Sequence, residues 1–213
     1  YGIASAMLYL HSHNIIHRDL KAANILEDDY LFPKIADFGL SKKFHQNQNT
    51  MSLQSTAGPR GTPVYMAPEI WSSYEYTKAG DVYAFSYIMY EILTLEQPFK
   101  GLTDLQLMKK VVIDGNRPEF QYQIPVCYQN LITKCWSTDP SERPTFEYIV
   151  DQLKNNEEFI TNSIDRSEYY DYIDLIDNYS ISFEPNKKFN KITVLKEKVL
   201  EIEEKINEKE IDH

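Results

Sequence analysis

The spacing of apolar residues along the chain predicts a structure built mainly from helices. Over residues 2–13, apolar side chains recur at the intervals of an amphipathic helix. Residues 76–94 form a longer stretch with apolar side chains around most of its circumference, which is typical of a helix buried in the middle of a helical lobe. Three further helical patterns occupy residues 104–114, 126–136 and 145–153, and prolines near their boundaries indicate turns.

Strand patterns are fewer and shorter. Residues 24–36 hold two short apolar runs, separated by the polar Glu27-Asp28-Asp29 and by Pro33, and this arrangement favours a small β-ribbon. Residues 40–61 are polar, show no periodicity and end in Gly58-Pro59-Arg60-Gly61. Long loops of this kind are usually functional or disordered, so an unstructured surface loop and a mobile functional segment are both open at this point.

The composition changes after Lys154. Residues 155–186 are acidic and rich in tyrosine, and we interpret them as a linker that follows a domain over residues 1–154. Residues 187–213 have the pattern of a charged amphipathic helix, with apolar residues in a 3-4 alternation at Ile192, Leu195, Val199, Ile202 and Ile206. The alternation covers fewer than three heptads. A coiled coil with a protein partner and a short helix that folds back on its own lobe therefore both stay open.

Composition and charge narrow the class of protein. The chain has 213 residues, of which 42% are hydrophobic and 13% aromatic, as in a globular protein. Its formal net charge of -10 argues against a nucleic-acid-binding surface and against an anchor for anionic membranes. Cys127 and Cys135 are its two cysteines, and this sparse use suggests free thiols in a reducing compartment. No apolar run approaches the roughly 20 residues that span a bilayer, so the expectation is a cytoplasmic protein with no membrane partner.

Three motifs carry the candidate chemistry. The run from Ile16 to Leu26 places an acid, a cation and an amide within six positions, at Asp19, Lys21 and Asn24. Asp37-Phe38-Gly39 begins thirteen residues after Asn24, and Met66-Ala67-Pro68-Glu69 follows further along the chain. In this order and spacing the three motifs resemble the H-R-D-x-K-x-x-N, D-F-G and A-P-E motifs of protein kinases.

Finer features of the resemblance point to one branch of that family. Lys21 in the loop and Gly61-Thr62-Pro63-Val64-Tyr65 before Met66 are similar to serine/threonine kinases. Cys135-Trp136 and the run Asp139-Pro140-Ser141-Glu142-Arg143-Pro144 are similar to tyrosine kinases. A tyrosine-kinase-like serine/threonine kinase satisfies both observations.

The resemblance implies a mainly α fold, the helical C-terminal lobe of a kinase with a short β-ribbon at the catalytic loop, followed by a helical tail. The smaller lobe of the family would precede residue 1, because the sequence contains no G-x-G-x-x-G run and no V-A-I-K-like strand. The expected function is ATP-dependent phosphoryl transfer to protein hydroxyls, with this chain inactive by itself. The alternative is a catalytically silent, kinase-derived module that binds or scaffolds other proteins.

The resemblance also assigns roles at the catalytic centre. Asp19 would accept or orient the proton of a substrate hydroxyl, and Lys21 would reach the transferring phosphoryl group, with Thr62 as a further member of the catalytic set. Asn24 and Asp37 would hold magnesium, which prefers hard oxygen ligands. The implied cofactors are ATP and magnesium, the implied substrates are proteins, and Leu26 would touch the adenine ring of the nucleotide.

Other residues are expected to support this centre. His17 would pack beside Phe38, which Gly39 follows. Asp81 lies in an apolar helix, where an unpaired carboxylate would cost several kcal/mol, so it must have partners; the resemblance implies the backbone N–H groups at His17 and Arg18.

Two further expectations concern charged groups outside the catalytic loop itself. Glu69 and Arg143 are expected to form a buried ion pair with a structural role. Ser55 and Thr56 are candidate phosphorylation sites in the polar segment, because a phosphate there would pair with Arg18.

Overall fold

The computed structural model describes residues 1–28, 32–43, 53–54, 58–120 and 124–181 of the 213-residue chain. These residues are mostly helical with a few short strands, so the prediction of a mainly α fold is confirmed. The chain divides into two compact units, Tyr1–Ile173 and Asp174–His213.

The first unit begins with helix α1 (Gly2–Ser12), which confirms the first helical pattern. Strand β1 (Ile15–Ile16) leads into the candidate catalytic loop, and strands β2 (Ile25–Glu27) and β3 (Pro33–Ile35) form the predicted ribbon. These two strands are antiparallel, and Ile25 lies opposite Ile35. Strand β4 (Lys42–Lys43), which the sequence does not predict, pairs with β1.

The middle of the lobe is organised by one long helix. Helix α2 (Pro68–Ser73) begins at Pro68, and strand β6 (Glu75–Tyr76) pairs with β5 (Leu53–Gln54). Helix α3 (Lys78–Thr94) follows, because the Thr77 side chain accepts the N–H of Gly80 and caps its first turn. Most of α3 is buried on all sides, as its apolar pattern predicts.

Three helices complete the lobe. Helix α4 (Asp104–Met108) opens with a capping box between Thr103 and Gln106 and continues as a π-helical segment, Lys109–Ile113. Helices α5 (Val126–Cys135) and α6 (Phe146–Asn155) lie within two residues of their predicted positions. Both cysteines are free thiols on α5, as predicted.

The hydrophobic core joins α1, α3, α5 and α6. Its largest fully buried side chains include Met7, Leu20, Tyr76, Tyr83, Tyr87, Ile88, Ile132, Phe146 and Ile149. The hydroxyls of Tyr83 and Tyr87 lie 3.0 Å apart, so each buried phenol has a polar partner. Burial raises the pKa of both phenols, which therefore stay neutral.

The segment after α6 contains more structure than the sequence predicts. A 3₁₀ turn (Glu157–Phe159) and helix α7 (Arg166–Ile181) lie in the stretch that the composition assigns to a linker. Phe159 and Ile173 are almost fully buried, at 3% and 1% exposure. The acidic, tyrosine-rich composition therefore does not predict this helix, because only a few of its side chains, such as Ile173, are apolar and buried.

Several sequence predictions lie outside the described residues. Residues 187–213, their coiled-coil alternative and their protein partner are among them, as are Ser55 and Thr56. The cytoplasmic location also stays a prediction. Over the part of the chain that the structure describes, no helix is long and apolar enough to cross a membrane.

Candidate active site

The candidate catalytic residues Asp19, Lys21 and Thr62 form one hydrogen-bonded cluster. The Lys21 Nζ atom lies 3.0 Å from Asp19 Oδ2 and donates to Thr62 Oγ1 at 2.9 Å. The Thr62 hydroxyl donates to Asp19 Oδ1 at 2.8 Å, and the Thr62 backbone N–H donates to the same oxygen at 2.9 Å. Two segments that are distant in the sequence thus meet in one arrangement of carboxylate, ammonium and hydroxyl.

A glycine allows these two segments to come together. Gly61 has a φ of +124°, and a Cβ atom there would lie 3.0 Å from the backbone oxygen of Arg18. A larger residue would be strained by its backbone conformation and would press against the catalytic loop. Gly61 therefore sets the close approach of Thr62 to Asp19.

The catalytic loop is tied to α3 by a single buried carboxylate. Asp81 is 3% exposed and accepts the backbone N–H of His17 at 2.8 Å and that of Arg18 at 3.0 Å. These are the partners that the sequence predicts. Arg18 has a positive φ of 72°, and the two bonds hold the backbone in this uncommon conformation.

The same carboxylate has a third partner, which the sequence analysis misses. His11 Nε2, on the buried face of α1, lies 3.0 Å from Asp81 Oδ2. A histidine on the apolar face of a helix, in a chain with a buried aspartate, is the available signal, but the sequence does not show which two groups meet.

Asn24 and Asp37, the candidate magnesium ligands, stand at the two open ends of the β2–β3 hairpin. The Ala36 N–H donates to the Asn24 backbone oxygen at 2.9 Å, which continues the ladder beyond the strands. The Asn24 side-chain amide donates to the backbone oxygen of Asp19 at 2.9 Å. The hairpin thus brings residues 13 positions apart in sequence to neighbouring places beside the catalytic loop.

Asp37 lies in a left-handed turn in front of a short 3₁₀ segment. Its φ is 61°, and its Oδ1 atom accepts the N–H of Gly39 at 3.3 Å. His17 lies edge-on to the Phe38 ring with centroids 5.3 Å apart, as predicted. His17 Nε2 lies 3.0 Å from the Ala36 oxygen, so this nitrogen carries a proton and donates it in a hydrogen bond to that carbonyl.

The donor set suits magnesium bound together with phosphates. Magnesium is usually held by one or two carboxylates and by substrate phosphates rather than by a cage of protein ligands. Within the described ranges, no group of three or more His, Cys, Asp or Glu side chains could hold a metal ion. One carboxylate and one amide oxygen, from Asp37 and Asn24, fit an ion whose other ligands come from a nucleotide.

Leu26 and Phe38 present apolar surface beside these polar groups. Leu26 on β2 is 54% exposed, and Phe38 is 48% exposed. Exposed side chains of this size are available for contact with a ligand or with another part of a protein. The position of Leu26 is compatible with its predicted contact to adenine, which stays a prediction.

The predicted ion pair between Glu69 and Arg143 is present and bidentate. Arg143 Nη1 lies 2.7 Å from Glu69 Oε1, and Nη2 lies 2.8 Å from Oε2. The Arg143 side chain is fully buried and also donates to the backbone oxygens of Ser137 and Ala79. Its guanidinium lies 5.0 Å from the centre of the Tyr83 ring. The pair joins the start of α2 to the turn before α6.

Tyr65 and Glu91 form a second connection that the sequence analysis misses. The Tyr65 hydroxyl donates to Glu91 Oε1 at 2.5 Å. Burial, followed by this bond to Glu91, raises the pKa of the Tyr65 phenol, and burial raises the pKa of the Glu91 carboxyl. The bond holds the turn Pro63–Tyr65 on α3 and so supports the position of Thr62. In the sequence, the only sign of this bond is the tyrosine directly before Met66-Ala67-Pro68-Glu69.

Arg18 lies over an aromatic ring next to the cluster. Its guanidinium carbon is 4.1 Å from the centre of the Tyr76 ring, and Nη1 donates to the backbone oxygen of Leu40 at 3.2 Å. Its Nε atom is buried and has no hydrogen-bond partner among the described residues. Part of the donor capacity of this arginine is therefore unused.

Comparisons with known proteins bear on the family of this chain. The family model described as protein tyrosine and serine/threonine kinase matches residues 1–153. The chain is 39% identical over 154 residues to the probable serine/threonine-protein kinase drkC of Dictyostelium discoideum, covering 71% of this chain and 20% of that protein. It is 38% identical over 151 residues to the serine/threonine-protein kinase STY17 of Arabidopsis thaliana, covering 71% of this chain and 25% of that protein.

A third similar protein is named as a dual specificity kinase. The dual specificity protein kinase pyk3 of Dictyostelium discoideum is 37% identical over 154 residues, covering 72% of this chain and 11% of that protein. The chain thus spans between about a tenth and a quarter of the length of these curated relatives.

Proposed function

Because this chain belongs to the protein tyrosine and serine/threonine kinase family, we propose that it is the C-terminal lobe of a tyrosine-kinase-like serine/threonine kinase. The reaction is transfer of the γ-phosphoryl group of magnesium-ATP to hydroxyls of protein substrates. The observation that carries the proposal is the cluster of Asp19, Lys21 and Thr62 beside the hairpin that joins Asn24 to Asp37.

The chain's own residues divide the work of this reaction. Asp19 accepts or orients the proton of the substrate hydroxyl, and Lys21 stabilises negative charge on the transferring group. Thr62 is bonded to both and keeps them in a fixed relation. Asn24 and Asp37 would hold magnesium, which would supply positive charge at the nucleotide phosphates.

The 213-residue polypeptide alone is expected to bind magnesium-ATP weakly and to transfer phosphate at a negligible rate. Leu26 offers one apolar face to adenine, and it is half exposed, as is Phe38. Positioning supplies most of the catalysis in phosphoryl transfer, so a nucleotide that is held from one side is poorly aligned.

The experiment compares kinase activity of the 213-residue chain with that of the chain extended by the coding sequence upstream of residue 1. Each form is paired with an Asp19→Asn variant. Activity in the extended form alone, lost in Asp19→Asn, supports the proposal. Inactivity of both forms favours the silent binding module, and Asp19-dependent turnover by the short chain refutes the expectation for that chain.

Arg18 also supports a proposal about regulation. We infer that phosphorylation of Ser55 or Thr56 places a dianion near this arginine, whose Nε atom has no partner among the described residues. A charge-assisted hydrogen bond would then join the phosphate to the arginine. Mass spectrometry of active protein from its native cell tests this, since an unmodified segment in active protein refutes it.

A further inference from the structure

The segment that follows α6 is fixed to the lobe at its beginning. The Phe159 ring meets the Tyr128 ring edge-on with centroids 4.9 Å apart, and the Tyr128 hydroxyl donates to the Phe159 backbone oxygen at 2.9 Å. The Tyr169 hydroxyl donates to the backbone oxygen of Leu153 at the end of α6. Residues 156–169 are therefore held against α5 and α6.

Tyr172, less than one turn further along α7, reaches a different part of the lobe. Its ring centroid lies 6.1 Å from that of Phe32, the residue directly before β3. A Cβ atom placed on Gly2 would lie 2.7 Å from the Tyr172 hydroxyl oxygen and 2.6 Å from Pro33 Cγ. Only a glycine at position 2 leaves room for this packing, so Tyr172 fits closely between the first turn of α1 and the β2–β3 hairpin.

The surroundings of this phenol disfavour negative charge. Burial raises the pKa of Tyr172, and the carboxylates of Glu27 and Asp28 raise it further. Both acids belong to the end of the hairpin, and Asp28 is paired with Lys34 at 3.1 Å. A neutral ring fits this position, whereas an added carboxylate would be repelled by the hairpin.

The hairpin that Tyr172 touches is the one that sets the spacing of the candidate magnesium ligands. Asn24 precedes β2, and Asp37 follows Ala36, whose N–H is bonded to the Asn24 oxygen. With strands of three residues each, the hairpin is too short to be rigid without support from neighbouring elements. A contact at the turn end of the hairpin, near Phe32, therefore affects the distance between Asn24 and Asp37 at its other end.

We propose that Tyr172 is a positioning residue, through which residues 156–173 brace the β2–β3 hairpin and fix Asn24 relative to Asp37. The role of these two ligands rests on the proposed function, but the brace is a property of the folded chain and is measurable without catalysis. Tyr172 lies beyond residues 1–153, the range that the family model matches, whereas the hairpin that it touches lies within that range.

The test is amide hydrogen exchange by NMR on the 213-residue chain. Tyr172→Ala should speed exchange of the Ala36 amide by about tenfold, since it opens the hairpin locally, while the amides of α3 keep their protection. Tyr172→Phe keeps the ring and should restore slow exchange. Tyr170→Ala, a tyrosine exposed on the same helix, serves as the matched control and should leave Ala36 unchanged.

A charged variant gives a second, independent arm. Tyr172→Glu should speed Ala36 exchange more than Tyr172→Ala does, and added salt should reduce the difference between the two, because Glu27 and Asp28 repel the new carboxylate. In an active extended chain, Tyr172→Ala should raise KM for magnesium-ATP more than it lowers kcat, and Tyr172→Phe should reverse this.

Unchanged Ala36 exchange in Tyr172→Ala overturns the brace. An equal acceleration throughout α3 also overturns it, because the effect is then global rather than local. If the extended chain has no kinase activity while the exchange results hold, the brace stands and the proposed function fails.

Discussion

Removal of the Arg143 side chain should destabilise the lobe strongly. In Arg143→Ala the Glu69 carboxylate, whose side chain is 14% exposed, loses both of its bonds to the guanidinium. The backbone oxygens of Ser137 and Ala79 lose a donor as well. Breaking a buried pair from one side costs roughly 3 to 5 kcal/mol, because an uncompensated charge stays buried.

Thermal unfolding followed by circular dichroism measures this loss. For a domain of this size, each kcal/mol shifts the midpoint by a few degrees, so Arg143→Ala should melt roughly 6 to 20 °C below the parent. Arg166→Ala is the matched control, since Arg166 forms an exposed pair with Glu157 at 2.8 Å. Exposed pairs contribute little, so this control should melt within about two degrees of the parent.

A double variant separates the charge effect from the loss of packing. Arg143→Leu combined with Glu69→Leu leaves no buried charge, so it should be more stable than Arg143→Ala alone. A midpoint for Arg143→Ala within a degree or two of the parent would refute the reasoning. It would mean that solvent reaches Glu69 as soon as the arginine is gone.

Three shorter predictions follow from burial and from pKa shifts. A chain cut after Asn155 lacks the buried Phe159 ring, so its free energy of unfolding, measured with urea, should fall by roughly 3 kcal/mol or more. An unchanged free energy of unfolding would show that the segment is dispensable. Burial raises the pKa of Tyr169 to about 12 from its ordinary value of 10.0. The folded state therefore has this stabilisation in full below pH 10 and loses it as the pH rises toward 12, and Tyr169→Phe should weaken this alkaline loss. Burial raises the pKa of both cysteine thiols, but Ellman's reagent should modify the partly exposed Cys127 before the fully buried Cys135, and equal rates would contradict this order.

The sequence predicts the helices well because each has its own periodic signal. The pattern over residues 76–94 identifies the central helix, and the structure begins it two residues later, at Lys78, where Thr77 supplies the cap. Strands of two residues, such as β1 and β4, have no such signal, because two positions cannot show an alternation. Helix α7 is missed because its acidic composition outweighs its few buried residues.

The candidate site follows the same rule. The motifs single out Asp19, Lys21, Asn24 and Asp37 as candidates because these residues belong to runs with fixed spacing, and their catalytic and metal-binding roles stay predictions. Pairs that join separate runs carry no local pattern. Tyr65 and Glu91 are 26 residues apart, and His11 and Asp81 are 70 apart, so only the folded chain shows that they meet.

The hydrogen bonds around Asp19 limit how many further groups its carboxylate can accept. A carboxylate offers about four lone-pair positions. Oδ1 already accepts the backbone and hydroxyl donors of Thr62, and Oδ2 faces the ammonium of Lys21. About one position is left, on Oδ2, so in the proposed reaction a single substrate hydroxyl would fill the remaining acceptor capacity of this carboxylate.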